Sequence, residues 1–290
     1  MTGGYQLKTS RACGLLRIGR SSYYYQGKGL VDGPLREALR VKAAQRRRFG
    51  YRRLLVMLRR EGWKDNHKRI YRLYCQEGLQ VRRRKRKQAG KWRGERAAAP
   101  QKMNQRWSMD FVSDTLASGR RFRSFNLVDD FSRECLGIEV DTSLGGQRVV
   151  RVLERIAVGR GLPEVLVMDN GPEFTGKALD AWAYERGVKL QFIQPGKPVQ
   201  NAYVESFNGK FRDECLNENW FINLTDAREL IEAWRQDYNS NRPHSSLGNM
   251  TPEEYAVSVS GLREATPPSV QKQVEEQVNN VVRMTGGLAQ

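Results

Sequence analysis

The 290-residue sequence is poor in the residues that build thiolate metal centres and disulfide frameworks. Its four cysteines, Cys13, Cys75, Cys135 and Cys215, lie far apart and form no CxxC pair, and only His67 and His244 supply imidazole. That excludes a Cys/His zinc site and a disulfide scaffold. The thiols read as ordinary groups of a reducing cytoplasm, where the protein is expected to reside. No apolar run approaches the ~20 residues of a membrane span. The opening Met1 to Gln6 has no stretch resembling a secretory leader, so no membrane partner is expected. Negative charge is scarce in the first third: residues 1–100 hold 28 Lys and Arg against 6 Asp and Glu. The remainder holds 22 against 26, so the net charge of +18 is concentrated at one end.

Such a field asks for a polyanion. Nucleic acid is the first choice, because each neutralised phosphate releases counterions. A membrane surface is the plainer alternative, and a run such as Arg82, Arg83, Arg84, Lys85, Arg86 and Lys87 also suits a solubilising segment. That run leaves the other 22 basic residues of the first hundred unexplained.

Residues 1–33 form a first unit. Lys8 to Leu16 and Arg20 to Tyr25 suit two short helices about a turn between Gly14 and Gly19, the second capped by Ser21. The spacing fits a helix-turn-helix and fits a structural hairpin equally well. Residues 34–81 form a basic helical unit. Leu54, Leu55 and Leu58 make an apolar stripe stopped by Gly62, and Asp65-Asn66 caps a helix from His67 to Gln76 that Gly78 ends. Arg52, Arg53, Lys68, Arg69 and Arg72 lie on its outer faces and are candidate DNA contacts, although a bundle with a merely charged surface fits as well. His67 reads as a surface residue. Residues 82–104 read as a basic linker lying on DNA.

From residue 105 to 257 the pattern changes to β-β-β-α-β-α-β-α, an α/β unit with a mixed sheet flanked by helices. Trp107 to Val112 alternates as a half-buried strand. Strands follow at 121–129 and 132–141, a helix at 146–158 and a doubly buried strand at 165–168. A helix at 175–186, a strand at 188–193 and a helix at about 201–217 complete the unit. Residues 258–290 form a tail, in which Val270 to Val282 suits a helix or a disordered segment.

Three acids stand where a scaffold can aim them. Asp110 is the only charge in the first strand, where an acid is costly unless paired or bound to metal. Asp169 ends the buried strand at its carboxyl end, the place where open α/β sheets bind ligands. Glu205 sits on the helix whose apolar stripe is Val204, Phe207, Phe211 and Cys215, with Asn208 and Arg212 on the neighbouring face. Converging carboxylates suit Mg²⁺, and two such ions assist phosphoryl transfer. Each acid also has a structural reading: an Asx turn for Asp169, an arginine pair for Asp110, a surface position for Glu205. Asp129, Asp130 and Glu173 are expected on the surface or behind the site.

The words around these acids add a resemblance. Trp107-Ser-Met-Asp110-Phe, Asp169-Asn-Gly-Pro-Glu-Phe and Gln200-Asn-Ala-Tyr-Val-Glu205-Ser-Phe-Asn resemble the Asp-Asp-(35)-Glu signature of retroviral integrases and integrase-like bacterial transposases. The intervals are 58 and 35 residues. Tyr238 to Leu247, Thr251 to Tyr255, Arg48 to Arg53 and Lys68 to Tyr74 resemble the second reading-frame product (OrfB type) of the insertion-sequence-three family. The likeness spans roughly residues 10–257.

The resemblance implies an RNase H-like integrase core behind a small all-α, helix-turn-helix-like DNA-binding region. It implies that Asp110, Asp169 and Glu205 hold two Mg²⁺ ions, with Mn²⁺ as a substitute, for DNA end cleavage and 3′-OH strand transfer. Asn170, Lys197, Gln200, Asn208, Lys210 and Arg212 are candidate DNA contacts around that site. Partners would be element-end and target DNA, a second copy in a dimer or larger assembly, and the upstream product (OrfA type) or a fusion with it. The zinc module of retroviral integrases is absent. A nuclease of the same fold, a non-catalytic regulator of the element, and a product inert outside the fusion remain open alternatives.

Overall fold

The computed structural model describes residues 7–25, 32–81, 98–194 and 201–265. The chain opens with α1 (Thr9–Leu15) and α2 (Arg20–Tyr24). The expected cap at Ser21 is displaced: Gly19 is the N-cap, in extended conformation, and Ser21 lies inside the helix. The cap falls two residues earlier than expected, after a turn in which Arg17 takes a left-handed φ of 52° and Ile18 N–H returns to Cys13 O at 2.9 Å.

The helical unit holds α3 (Gly33–Gln45), α4 (Tyr51–Arg60) and α5 (His67–Gln76). Pro34 occupies the first turn of α3, where its missing N–H costs nothing. The Asn66 side chain caps α5 by accepting Lys68 N–H at 3.0 Å. Leu54, Leu55 and Leu58 of α4 meet Leu35 and Leu39 of α3 and Ile70, Leu73 and Tyr74 of α5 in one buried core. Gly62 and Gly78 terminate the helices at φ of +92° and +66°, a region that favours glycine.

The larger unit is built on five strands: β1 (Arg106–Thr115), β2 (Arg121–Asp129), β3 (Cys135–Asp141), β4 (Val165–Met168) and β5 (Lys189–Phe192). They lie in the order β3-β2-β1-β4-β5. The first three form an antiparallel meander, while β4 and β5 run parallel to β1, so the sheet is mixed as the pattern implied. Between the strands run α6 (Gly146–Arg160) and α7 (Lys177–Arg186). After β5 come α8 (Ala202–Phe211), a π-helical turn (Arg212–Leu216), α9 (Leu224–Ser240) and α10 (Pro252–Ala265).

Two cores sandwich the sheet. Trp107, Met109, Phe125 and Leu127 face α6 and α7. Val112, Phe122, Val128 and Val140 face α8 and α9. β1 is therefore covered on both sides, not half-buried as its alternation suggested: Ser108 is fully buried and Asp110 looks toward α8. The helix expected to continue to 217 widens into the π turn at Arg212. Phe211 and Cys215 stay on the buried stripe with Val204 and Phe207 through that turn.

α10 packs Tyr255 against Phe131 and Leu247 and runs past the expected boundary at 257. The segment 270–282 lies outside the described residues. Among the described residues no helix is long and apolar enough to cross a membrane.

Candidate active site

Chain topology brings the two aspartates together. β1 and β4 are parallel neighbours with Ser108 opposite Val167. Asp110 and Asp169 each stand two residues beyond that pair, toward the carboxyl ends of the strands. The Asp110 carboxylate accepts Phe111 N–H at one oxygen and the Asn208 amide at the other, both at 2.8 Å. Asn208 in turn accepts Asn126 Nδ2 at 2.6 Å. Asn126 is fully buried and is the direct cross-strand partner of Asp110 on β2. A chain of two amides thus fixes the carboxylate from behind.

Burial pushes the Asp110 carboxyl up to about 6, with the charges of Asp169 and Glu205 adding to it and the two hydrogen bonds opposing. Asp169 Oδ1 accepts Gly171 N–H at 3.0 Å, closing an Asx turn. A side chain at Gly171 would put its Cβ 3.0 Å from that oxygen and 3.1 Å from Glu173 Oε2. Glu205 lies in the first turn of α8, largely exposed, and desolvation by the surrounding protein raises its carboxyl.

None of the three carboxylates makes an ion pair among the described residues. Most of the acids around them are paired: Asp130 holds Arg106, Glu139 holds Arg148 and Arg155, Glu173 holds Arg123, Glu214 holds Arg242, and Asp237 holds Arg46. As a donor set, three unpaired carboxylates fit hard divalent cations. Asp110 lies in the fields of the other two, but as arranged no three such side chains among the described residues close around one ion.

The other expected site residues divide. Asn170 Nδ2 donates to Ile193 O at 3.0 Å and ties the turn after β4 to the end of β5. Asn208 has its amide engaged between Asp110 and Asn126. Arg212 opens the π turn and reaches Ser113 O at 3.1 Å while staying exposed. Lys210 turns to Ser206 at 3.2 Å, on the side facing the helical unit. Arg53 is drawn toward Glu214 at 3.2 Å and over the Phe49 ring at 5.2 Å. Arg69 pairs with Asp32 and Asp65, and Arg72 with Asp32. Arg52 and Lys68 remain exposed. Lys197, Gln200 and the run Arg82 to Lys87 lie outside the described residues.

Asp129 and Asp130 depart from the surface expectation. Both are buried. Asp129 caps the β2–β3 turn through Phe131 and Ser132 N–H, and Asp130 accepts Ser108 Oγ at 2.5 Å and Arg106 Nε at 2.6 Å. Glu173 stands behind the site, bound to Arg123, whose guanidinium lies 4.3 Å over the Phe111 ring. Asn126 went unnoticed in the sequence. Its one signal is a polar residue inside the otherwise apolar stretch Phe125 to Val128, and only register reveals its partner.

Two family models described as integrase core domain match residues 100–198 and 186–252, and one described as an HTH-like domain matches residues 35–87. The chain is 52% identical to an uncharacterized 31.7 kDa protein of insertion element IS407 from Burkholderia multivorans, over 85% of this chain and 90% of that protein. It is 30% identical to the transposase InsD for insertion element IS2D of Escherichia coli, over 71% of this chain and 73% of that one. Among solved structures it is similar to the HTLV-2 integrase catalytic core domain in complex with magnesium. That match has a TM-score of 0.44 at 16% identity and covers 53% of this chain and 96% of that one.

Proposed function

The chain belongs to the integrase-core transposases of bacterial insertion elements, of the insertion-sequence-three type encoded by the second reading frame, and from that premise we propose that it cuts element-end DNA and joins the freed 3′-OH to a second phosphodiester. Enzymes of this class are Asp-Asp-Glu polynucleotidyl transferases. Asp110, Asp169 and Glu205 are the residues that would hold divalent metal, Mg²⁺ or Mn²⁺, two ions being the number that in-line phosphoryl transfer favours. Bound there, the metal would supply charge stabilisation to the attacking and leaving oxygens.

The observation that supports this reading is three carboxylates without ion pairs among the described residues: Asp110 midway along β1, Asp169 just past the carboxyl end of β4 and Glu205 in the first turn of α8, with the charges of the latter two felt at Asp110. The protein's own contribution is positioning. Phe111 N–H and Asn208 hold Asp110 in one rotamer, and the Gly171 turn holds Asp169. Accurate placement of reacting groups is worth several orders of magnitude in rate. Exposed Arg52, Lys68 and Arg212 are the proposed DNA contacts among the described residues, with Lys197, Gln200 and the 82–87 run proposed alongside them. Two DNA ends must be held together for joining, so the working form is a dimer or larger on DNA, acting with the upstream product or fused to it.

The deciding experiment is strand transfer on labelled element-end DNA with Mg²⁺ or Mn²⁺. Wild type is compared with Asp110→Asn, Asp169→Asn and Glu205→Gln, alone and fused to the upstream product. Loss of joining by at least about 10²-fold in all three, with DNA binding retained, is expected from removal of a charge-stabilising group. Activity that survives loss of any one acid places the chemistry elsewhere.

A further inference from the structure

The seam between the helical unit and the sheet gathers more positive charge than its own acids balance. Arg53 comes from α4, Arg133 from the β2–β3 turn, Lys210 from α8 and Arg242 from the chain just after α9. Glu214, in the π turn, is the carboxylate that touches them: it accepts Arg242 twice at 2.6 Å and Arg53 at 3.2 Å. Asp130 and Asp237 lie nearby but already hold Arg106 and Arg46.

Two of the four cations make no ion pair among the described residues, although Arg133 feels the charge of Asp130 and Lys210 that of Glu214. Arg133 adopts a left-handed φ of 64° and lays its guanidinium 3.9 Å over the Tyr203 ring. Its Nη1 is buried without a hydrogen-bond partner among the described residues. The ammonium of Lys210 meets only the Ser206 hydroxyl among the hydrogen bonds of the described residues. Burial, then the charges of Arg242, Arg133 and Arg53, push that ammonium down to about 7. The same four cations surround buried His244, whose ring stands edge-on to Tyr238.

Cations withdrawn from water without counter-charge are costly, and a guanidinium donor with nothing to bond is a second cost. A planar guanidinium beside an ammonium is also the pairing that recognises phosphate oxygens. Arg133 and Lys210 are each partly exposed, so the seam opens to solvent. We propose that this seam is a binding site for a phosphate oxyanion, taken by Arg133 and Lys210 with Arg53 and Arg242 behind them. A DNA backbone phosphate and free inorganic phosphate present the same chemistry. The site stands on the seam's geometry and does not require the acidic site to work as proposed.

The test uses the full chain and inorganic phosphate, titrated against chloride at matched ionic strength and pH, with the melting temperature as readout. Wild type should show a saturable, phosphate-specific rise. Lys210→Met and Arg133→Met should each weaken the apparent phosphate affinity at least fivefold, while Arg151→Met, at an exposed position on α6, should leave it unchanged. Duplex DNA binding followed against salt then separates the sources. If DNA supplies the oxyanion, saturating phosphate competes with DNA and Lys210→Met flattens the log–log salt slope by about one contact. If free phosphate is the natural occupant, the slope stays as in wild type. The absence of a phosphate-specific rise in wild type overturns the site however the variants fold. A rise of equal affinity in both variants overturns it as well. Neither result bears on strand transfer, so this proposal and the catalytic reading fail separately.

Discussion

Asp110 stores a conflict between stability and chemistry. Its folded-state carboxyl is raised from 3.8 to about 6, chiefly by burial, so ionising it opposes folding. The sign follows from linkage: the group adds no penalty below its unfolded value near 4, and the penalty grows as pH climbs through about 6. Without divalent metal at pH 7–8, Asp110→Asn should therefore stabilise the protein, by an amount on the order of 1–3 kcal/mol. The amide chain can accommodate the change. If Asn208 and Asn126 both invert, the Asn208 oxygen accepts from the new amide and its Nδ2 donates to Asn126 Oδ1, which has no partner among the described residues before the change. Thermal melts in a chelator at pH 4 and pH 8 check this. A variant that melts below wild type at pH 8 contradicts the assigned burial cost.

At the scale of elements, the turn after β4 does the positioning. Asp169 and Glu173 close around Gly171, and Phe174 is buried beneath them. Gly171→Ala would push a methyl against Asp169 Oδ1. The expected result is strand transfer lowered at least about tenfold, since small displacements of a catalytic group are amplified in rate. Stability should fall by no more than ~1 kcal/mol, in the range of an ordinary surface-turn substitution. Measuring joining rate and melting temperature on one preparation separates the two effects. Unchanged joining would mean that the turn does not place Asp169 for chemistry. The same scale shows what a sequence pattern conveys. The stripe Val204, Phe207, Phe211 and Cys215 correctly marked the buried face of α8. The π turn beyond Phe211 could not be read from the stripe, because the pattern of a wide turn and of a regular one differ by a single residue.

Across the whole molecule, the basic first hundred residues turn out to serve two masters. Part of that charge points inward, onto the acidic side of the sheet unit. Arg46 binds Asp237 through two bonds of 2.5 Å, Arg48 binds Glu218 at 2.7 Å, and Arg60 binds Glu254 at 2.7 Å. The helical unit is thereby docked on the face that carries α8 and α9. Arg46 and Asp237 are partly exposed, so screening limits each pair's worth. A double-mutant cycle with Arg46→Met and Asp237→Asn should give a coupling of roughly 0.5–1 kcal/mol at low salt, shrinking as salt is added. Denaturant titrations supply the four free energies. Zero coupling at low salt would show the two units to be independent in solution.

The sequence by itself determined which elements form and which acids matter to the proposal. Helical and strand periods are set by neighbours within a few residues, so α4, α5, β4 and α7 were legible in their apolar spacing and in stops such as Gly62 and Gly78. The three acids were legible because each interrupts or ends an apolar run, and because their intervals resemble a known signature. Tertiary structure decided the rest. The Asn126–Asn208–Asp110 chain joins residues on β2, α8 and β1, and it exists only once strand register sets Asn126 opposite Asp110. For Asp129 and Asp130 the sequence left open a place on the surface or behind the site, and packing decided for burial. Arg53, Arg69 and Arg72 read as DNA contacts, and only the fold shows that each also has an acid within reach, Glu214, Asp32 or Asp65. An arginine carries no local mark of its partner; the choice depends on which distant carboxylate the fold brings within reach, and that information resides in packing.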